Sequence, residues 1–532
     1  MALKRFPIGV QDFAQIRENE YFYVDKTDLV YKLTHTSQFY FLSRPRRFGK
    51  SLLISTLQCY FEGRKELFAG LAMERLESEW KKYPVFKLSF AGNKFITEED
   101  LADTLNLKLG EWERQYGLGP SDKSAWGVRF ELLIKAAHES TGMLPVVLVD
   151  EYDAPLLDSM ENPELQLTLK NEMRKLFSPL KDLGGILRFV FLTGISKFSQ
   201  LSIFSELNNL NVITMDDEYA AICGITKEEV FSQMQPEIQA LADKNDMKYD
   251  EACEALTRQY DGYHFSENSP DIFNPFSLIS SLSKKNLANY WFATGTPTIL
   301  TKLVKKYKMD AELFDKGFAV AAEVFDSPTE TADNPIPMLY QSGFLTIKKF
   351  NRGEFSPYVL AFPNHEVAEG FTKCLLAYYT GQSTAYSTVV SRVIQGMKDG
   401  DIDGVLQVIR AYMSGVPYDS EPQGELHYKT IVYCVFSLAT PYLTRCEEKS
   451  AAGRCDVVVE TTDAVYVFEF KLDGNGTVDD ALKQIDDRGY LIPYSARLAA
   501  NGSPKKLFKI GVTFDAEKRT LGEWKIVSSF QE

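Results

Sequence analysis

The sequence predicts an α/β protein in three parts, and two features of its hydrophobic pattern support this. Up to residue 224, short aliphatic and aromatic runs alternate with segments at helical spacing, which is typical of a parallel sheet flanked by helices. From residue 421 the order is helix, strand, strand, helix, strand, which predicts a second α/β domain. The region between the two is mainly helical in pattern.

Individual elements follow from local patterns. The run at 146–149 contains only β-branched and aliphatic residues, which predicts a strand buried on both faces. Leu53, Leu57 and Phe61 recur at helical spacing, and Gly63 ends that helix. By these criteria we predict strands at 39–42, 85–88, 145–149 and 187–192 and helices at 51–61, 101–116, 130–138 and 165–177.

The same patterns divide the helical middle part in two, which gives four segments in all. Residues 1–224 form the sheet domain, and 225–304 a helical lid or winged-helix-like region. Residues 305–420 form a mostly helical connection with a hairpin near 343–355. The polar, turn-rich stretch at 418–424 marks a boundary, so the last domain is predicted at 421–532.

Composition narrows the classes of function. The 532 residues are 45% hydrophobic and lack an apolar run of about 18 residues, so we expect no membrane association. The seven cysteines form no CxxC pair and the five histidines are scattered, which argues against zinc or disulfides and favours the cytoplasm. A net charge of −14 argues against general attraction to nucleic acid, but allows a local basic groove or a magnesium-assisted site.

A phosphate-binding loop is predicted where the sequence RPRRFGKS follows a strand and precedes a helix, at 44–51. In a P-loop the main chain surrounds the phosphates of ATP, and here Arg46, Arg47, Phe48 and Gly49 would supply that part of the loop. Lys50 would reach the β- and γ-phosphates, and the Ser51 hydroxyl would ligate Mg²⁺. Arg44 stands where the usual GxxxxGK[ST] pattern has its first glycine, so a coincidental GKS is the alternative.

A second element favours the P-loop interpretation. The apolar strand at 146–149 is followed by Asp150 and Glu151, about 100 residues after the loop. In P-loop ATPases a strand-end Asp helps to hold Mg²⁺, and the next Glu can act as general base towards water. We therefore assign Asp150 to the metal and Glu151 to the base. Asp153 is better explained as a helix cap.

Two further residues have alternative explanations. Thr193, at the end of another predicted strand, is a candidate sensor of the γ-phosphate, and capping of a strand-to-loop turn explains it equally well. Arg174 could neutralise charge at the phosphates, although a solvated helix arginine is the simpler explanation.

A second constellation lies near the C-terminus. Asp456 opens one predicted strand, and Glu469 and Lys471 share a face at the end of the next. Two carboxylates and a lysine at one sheet edge can hold Mg²⁺ and support phosphodiester hydrolysis, with Asp456 and Glu469 as metal ligands. Gln484 on the following helix and Glu425 before the first helix are two outlying candidates, Gln484 for the catalytic set and Glu425 as a further acid. The helix dipole is the alternative explanation for Glu425, and a purely structural role is likewise the alternative for Gln484.

Long motifs support both interpretations: PIGVQDF at 7–13, YVDKT at 23–27, SRPRRFGKSL at 43–52, VDEYDAPL at 149–156, FLTGISKFS at 191–199, YDGYHF at 260–265 and NPFSL at 274–278. With them the chain resembles the predicted AAA-ATPase-like family whose members carry C-terminal PD-(D/E)XK nuclease-superfamily domains. The resemblance covers essentially the whole chain and implies a P-loop NTPase sheet, ATP binding and a nuclease-like α/β domain. The Pro of the nuclease motif is absent, with Cys455 in its place.

Two hypotheses follow. In the first, ATP binding or hydrolysis controls Mg²⁺-dependent cleavage of nucleic acid, and we expect DNA rather than RNA. In the second, the chain is a nucleotide-dependent switch whose nuclease-like domain is inactive and only binds nucleic acid or a protein. The sequence leaves the oligomeric state open, and a homo-oligomer is one option.

Overall fold

The computed structural model describes most of the chain, in the ranges 5–119, 125–196, 210–292, 298–307, 317–325, 327, 334–382, 384–416, 425–439, 445–446, 456–472, 474–499 and 501–529. It forms two compact units, the first Met1–Gly295 with Gly317–Val367 and the second Thr296–Lys316 with Ala368–Glu532. The boundary predicted at 418–424 lies outside the described residues, and the division into four segments stays a prediction. Within the described residues, no helix combines the length and apolarity needed to cross a membrane.

Fifteen strands are described. They are β1 Phe39–Ser43, β2 Val85–Ser89, β3 Val146–Asp150, β4 Phe189–Gly194, β5 Asn211–Val212, β6 Ile225–Thr226, β7 Ile272–Phe273, β8 Phe318–Val320, β9 Thr346–Phe350, β10 Tyr358–Ala361, β11 Arg445–Cys446, β12 Val457–Glu460, β13 Ala464–Leu472, β14 Lys506–Asp515 and β15 Thr520–Ser529.

Nineteen α-helices are described. They are α1 Phe13–Glu18, α2 Thr27–Thr36, α3 Lys50–Phe61, α4 Ala72–Leu76, α5 Glu98–Gln115, α6 Trp126–Thr141, α7 Ala154–Asp158, α8 Pro163–Phe177, α9 Lys227–Gln233, α10 Gln235–Lys244, α11 Tyr249–Tyr260, α12 Pro275–Lys284, α13 Thr298–Tyr307, α14 Ile336–Gln341, α15 His365–Thr380, α16 Tyr386–Asp399, α17 Ile402–Ser414, α18 Glu425–Ala439 and α19 Val478–Asp487.

The first unit is built on a five-stranded parallel sheet in the order β2-β3-β4-β1-β5. Every residue of β1, β3 and β4 is buried, as their continuous apolar character predicts. Because β4 lies between β1 and β3, the carboxyl ends of all three strands meet at one edge. The chain leaves β1 and β4 in opposite directions across the sheet, and ligands of open α/β sheets bind at such a point.

The remainder of the first unit is mainly helical, with two small sheets. Helices α9 to α12 share an apolar core that includes Val230, Ile238, Leu256 and Leu278. The short strands β6 and β7 pair antiparallel, and β8, β10 and β9 form a three-stranded antiparallel sheet. The predicted hairpin forms from β9 and β10 but ends later than 355, because the turn between the two strands spans 351–357.

The second unit contains a five-stranded sheet in the order β11-β12-β13-β14-β15. Its strands β13 and β14 run parallel, and the neighbouring pairs are antiparallel. Helix α19 connects β13 to β14 and packs on both strands. The predicted order of helix, strand, strand, helix and strand is confirmed by α18, β12, β13, α19 and β14, and β15 is an additional strand. The fold class predicted from the sequence is therefore confirmed for both α/β parts.

Candidate functional sites

The predicted phosphate loop lies between the end of β1 at Ser43 and the start of α3 at Lys50. Gly49 occupies the N-cap position with a φ of +92°, a conformation that favours glycine, and a Cβ there would meet no atom within 4 Å. Because the N-cap residue is a glycine, it has no side chain that could cap the first turn of α3. The positive end of the helix dipole is therefore available to an anion, as a phosphate site requires.

Lys50 is the first residue of α3, directly after this loop, and is only 5% exposed. Its Nζ donates hydrogen bonds to the carbonyl oxygens of Arg44 and Pro45, at 2.9 and 3.0 Å. Burial lowers the pKa of Lys50, and the negative charges of Glu151 and Asp150 oppose this effect. The electrostatic effect shows that the phosphate loop and the acidic pair, which are about 100 residues apart in sequence, lie close together in the fold.

The acidic pair follows directly from the end of β3. Asp150 is 3% exposed, and its Oδ1 is buried without a hydrogen-bond partner. Such an orphaned oxygen fits a Mg²⁺ ion or its bound water, which would satisfy it. Glu151 has a φ of +50°, and burial raises its pKa while the charge of Lys50 acts to lower it. A carboxyl with a raised pKa is suited to accept a proton from water.

Asp153 has a different role from the predicted helix cap. It occupies the N-cap position of α7, but its side chain caps no helix. Instead Oδ2 accepts hydrogen bonds from the backbone N–H groups of Ile195 and Ser196, at 3.0 and 2.7 Å, and from the Ser196 hydroxyl at 2.8 Å. The buried carboxylate is thus satisfied by the turn that follows β4, and it ties this turn to β3.

Gly194 and Thr193, at the end of β4, allow this strand to pack closely against its neighbours. A Cβ on Gly194 would lie 2.5 Å from Asp153 Oδ1, so only glycine fits there. Thr193 is fully buried, and its hydroxyl donates to the carbonyl oxygen of Leu42 at 2.8 Å, which joins β4 to β1. The γ-phosphate-sensing role of Thr193 stays a prediction. Arg174 is exposed on α8.

The C-terminal candidate residues converge at one end of β12 and β13. Lys471 Nζ donates to Gln484 Oε1 at 2.6 Å and lies 3.3 Å from Glu469 Oε1, which also accepts a hydrogen bond from Gln484 Nε2. Asp456 Oδ2 accepts a 2.8 Å hydrogen bond from the backbone N–H of Phe470. Strand pairing and the packing of α19 therefore bring all four predicted residues into one cluster.

The sequence did not identify a fifth member, Lys429 on α18, whose Nζ lies 3.1 Å from Asp456 Oδ1. The sequence shows that Lys429 follows the candidate acid Glu425 by one helical turn. It does not show which face of this helix meets the sheet, so Lys429 could not be assigned to the site. Helix α18 begins at Glu425, and the position of its side chain lies outside the described part of the structure.

The electrostatics of this cluster fit a divalent cation. Glu469 is 2% exposed, and its Oε2 is buried without a hydrogen-bond partner. Burial and the charge of Asp456 raise the pKa of Glu469 to about 7, against the lowering effect of Lys471. Among the described residues, no group of three or more His, Cys, Asp or Glu side chains is placed to hold a metal. Mg²⁺ commonly uses only one or two carboxylates with water and substrate phosphates, so two acids such as Asp456 and Glu469 would be enough for such a site.

Comparison with known proteins decides the family. An uncharacterised protein from the vnfD 5′ region of Azotobacter chroococcum mcd 1 is 34% identical over 533 residues, covering 98% of each chain. A family model described as predicted AAA-ATPase matches residues 7–204, and one described as the PD-(D/E)XK nuclease superfamily matches residues 423–524. The chain belongs to the predicted AAA-ATPase family. The resemblance read from the sequence motifs is thereby confirmed.

In this member of the predicted AAA-ATPase family, Arg44 replaces the first glycine of the loop pattern and is turned into the protein. It is 1% exposed, and its guanidinium donates to the carbonyl oxygens of Thr214 at 2.8 Å and Tyr219 at 3.3 Å. The guanidinium carbon also lies 4.2 Å from the ring centroid of Phe265. Burial lowers the pKa of Arg44 to about 10, so it remains a cation at neutral pH. Arg44 therefore stabilises the phosphate loop through contacts on the buried side of the loop.

Restoring the usual glycine should therefore damage the protein. We expect Arg44→Gly to lower the free energy of unfolding by roughly 3 kcal/mol or more, because several charged hydrogen bonds and a cation–π contact are lost. Denaturant titration measures this change. Arg46→Gly makes a comparable replacement at an exposed loop position and should cost far less. A variant Arg44→Gly as stable as the parent would show that the buried contacts do not stabilise the loop.

The motifs YDGYHF and NPFSL contact the phosphate loop from the later part of the same unit. The Phe48 ring packs edge-on against Tyr263, with a centroid distance of 4.7 Å. The Arg47 guanidinium lies 3.8 Å from the ring centroid of Phe276. Trp291 Nε1 donates to the Arg46 carbonyl oxygen at 3.4 Å. These residues are more than 200 positions from the loop in sequence, and spacing gave no sign of the contact.

Glu366, at the start of α15, is another buried group near the loop that the sequence did not identify. It is 1% exposed and accepts a 2.8 Å hydrogen bond from the backbone N–H of Trp291. Burial raises its pKa from 4.5 to about 7, although the Trp291 N–H and the Arg47 charge act to lower it. In the folded protein this carboxyl therefore keeps its proton to a higher pH than in the unfolded chain.

A pH-dependent stability follows from that difference. Between pH 4.5 and about 7 the folded state binds more protons at Glu366 than the unfolded state, so the contribution of Glu366 to stability falls as pH rises. The loss is about 3 kcal/mol over this window. We expect Glu366→Gln to flatten the dependence in denaturant titrations at several pH values, with exposed Glu354→Gln as control. Identical slopes for Glu366→Gln and the parent would contradict the assignment.

The motif YVDKT has a structural role. Asp25 Oδ1 accepts hydrogen bonds from the N–H and hydroxyl of Thr27, and its Oδ2 accepts one from the N–H of Ala72. Lys26 Nζ pairs with both carboxylate oxygens of Glu229, at 2.6 and 2.7 Å. These bonds fix the starts of α2 and α4 and connect the sheet region to α9.

Proposed function

We propose that this chain hydrolyses ATP with Mg²⁺ in its AAA-ATPase-like module and cleaves nucleic acid phosphodiesters with Mg²⁺ in its nuclease-like module. The observation that carries the nuclease proposal is the assembled cluster of Asp456, Glu469, Lys471 and Gln484, in which Glu469 keeps one buried oxygen without a partner. A cluster that only stabilised the fold would be expected to satisfy that oxygen.

In the nuclease-like module, Asp456 and Glu469 would hold the metal. A bound Mg²⁺ supplies Lewis-acid polarisation of the phosphate and lowers the pKa of a bound water. Lys471 would stabilise the negative charge that develops on the phosphate, because its ammonium lies beside Glu469 on the same strand face. Gln484 would hold that ammonium in place through its 2.6 Å hydrogen bond.

In the ATPase-like module, the main chain from Arg46 to Gly49 and the ammonium of Lys50 would bind the phosphates of ATP. Ser51 and Asp150 would hold Mg²⁺, consistent with the partnerless Oδ1 of Asp150. Glu151 would take a proton from the attacking water, consistent with the raised pKa of its buried carboxyl.

The test is an assay of the full chain with ATP, Mg²⁺ and a mixture of labelled DNA and RNA. We expect phosphate release from ATP and metal-dependent cleavage, with DNA as the preferred substrate. Asp456→Asn should lose cleavage and keep ATP hydrolysis, which makes it an internal control. Absence of cleavage with either Mg²⁺ or Mn²⁺ would overturn the nuclease proposal and favour a nucleotide-dependent switch that binds nucleic acid or protein.

A further inference from the structure

Lys429 gives the nuclease-like site a second lysine in addition to Lys471. Its Nζ lies 3.1 Å from Asp456 Oδ1, and the two side chains are only 20% and 16% exposed. The other oxygen of Asp456 accepts the N–H of Phe470 at 2.8 Å. Both oxygens of this carboxylate therefore have donors from the protein.

Asp456 and Glu469 differ in whether both of their carboxylate oxygens have donors from the protein. Glu469 Oε1 accepts from Lys471 and Gln484, but Glu469 Oε2 has no partner. Asp456 is thus paired with Lys429, and Glu469 with Lys471. With both acids ionised, the charges of these four side chains sum to zero. If Asp456 and Glu469 hold a divalent cation, Glu469 would offer it an unsatisfied oxygen, whereas Asp456 would be shared with Lys429.

We propose that Lys429 is a built-in cation that stands in for a second metal ion, so that the site binds a single divalent cation. This rests on the proposed nuclease function. Two-metal sites place their ions about 3.5–4 Å apart and surround them with several acids. Here the Lys429 ammonium already lies beside Asp456 Oδ1 and neutralises that carboxylate. The charge of Lys429 then limits the affinity for the bound ion.

A purely structural ion pair is the competing explanation, because Lys429 also links α18 to the start of β12. The two explanations predict different effects on metal affinity. If the ammonium acts as a cation of the site, its removal makes the site more negative and strengthens metal binding. If it only joins two elements, its removal loosens Asp456, and metal binding stays the same or weakens.

The experiment is a titration of the full chain with Mn²⁺, without nucleotide, with bound and free ions distinguished by electron paramagnetic resonance. We expect the parent to bind a single ion that Asp456→Asn loses. Lys429→Met should bind that ion about tenfold more tightly, and Lys429→Arg close to the parent value. Lys429→Gln provides a second neutral variant in case Lys429→Met does not fold.

Lys505→Met is the matched control. Lys505 forms a buried 2.8 Å ion pair with Glu460, which lies about 13 Å along the strand from Asp456. Its loss should lower stability without changing Mn²⁺ affinity.

Three results would be decisive against the proposal. Two ions in the parent that are both lost in Asp456→Asn would overturn it without any Lys429 variant. Unchanged or weaker binding by both neutral Lys429 variants would overturn it while leaving the nuclease proposal intact. A parent that binds no ion through Asp456 would overturn both proposals.

Discussion

Lys50→Ala should weaken ATP binding by roughly 100-fold or more, because charge-assisted hydrogen bonds to phosphate contribute about 1.5–3 kcal/mol each. The charges of Asp150, Glu151 and Asp153 act on Lys50, so its removal leaves these carboxylates with less compensating charge. Repulsion between these carboxylates and a triphosphate then adds to the loss. Isothermal titration with ATP and Mg²⁺ measures the dissociation constant directly.

Two controls separate this effect from a general loss of structure. Lys65→Ala removes an exposed lysine of the same unit and should bind ATP like the parent. The melting temperature of Lys50→Ala reports the cost of losing its bonds to the carbonyl oxygens of Arg44 and Pro45. If a folded Lys50→Ala protein still hydrolyses ATP at the parent rate, the phosphate site lies elsewhere.

The strands of the sheet and the positions of the candidate site residues on those strands could be predicted from the sequence, because short-range patterns determine them. Strands β1, β3 and β4 are buried on both faces, and a continuous apolar run such as that of β3 signals this directly. Alternation along β13 places Glu469 and Lys471 on one face whatever the tertiary packing. Strand β15 was missed, although it pairs with β14 along most of its length.

The residues that could not be predicted are those whose role depends on long-range packing. Arg44 fits a loop consensus poorly, and only the positions of Thr214, Tyr219 and Phe265 explain it. Lys429 is one of several polar residues on α18, and its role depends on how that helix meets β12. Asp153 suggested a helix cap from its local context, but it binds the turn after β4, 42 residues away along the chain.

Lys471→Ala should reduce kcat for cleavage by about 100- to 1000-fold, the loss that follows removal of one charge-stabilising group from an active site. The carboxylates that would hold the metal remain in this variant, so Mn²⁺ affinity should not fall. Gln484→Ala should have a smaller effect, since Gln484 acts by holding the Lys471 ammonium through a 2.6 Å hydrogen bond. Single-turnover cleavage at saturating metal separates this effect from metal binding.

Lys509→Ala is the matched control for this variant. Lys509 lies on the neighbouring strand β14 and pairs with Asp486 at 2.8 Å, so its replacement removes an ion pair of the same sheet without touching Asp456 or Glu469. Cleavage by Lys509→Ala should stay near the parent rate. If Lys471→Ala cleaves as fast as Lys509→Ala while binding the same Mn²⁺, the strand lysine does not act on the phosphate. Stabilisation of the negative charge on the reacting phosphate would then be assigned to other cations of the site, such as the bound metal and Lys429.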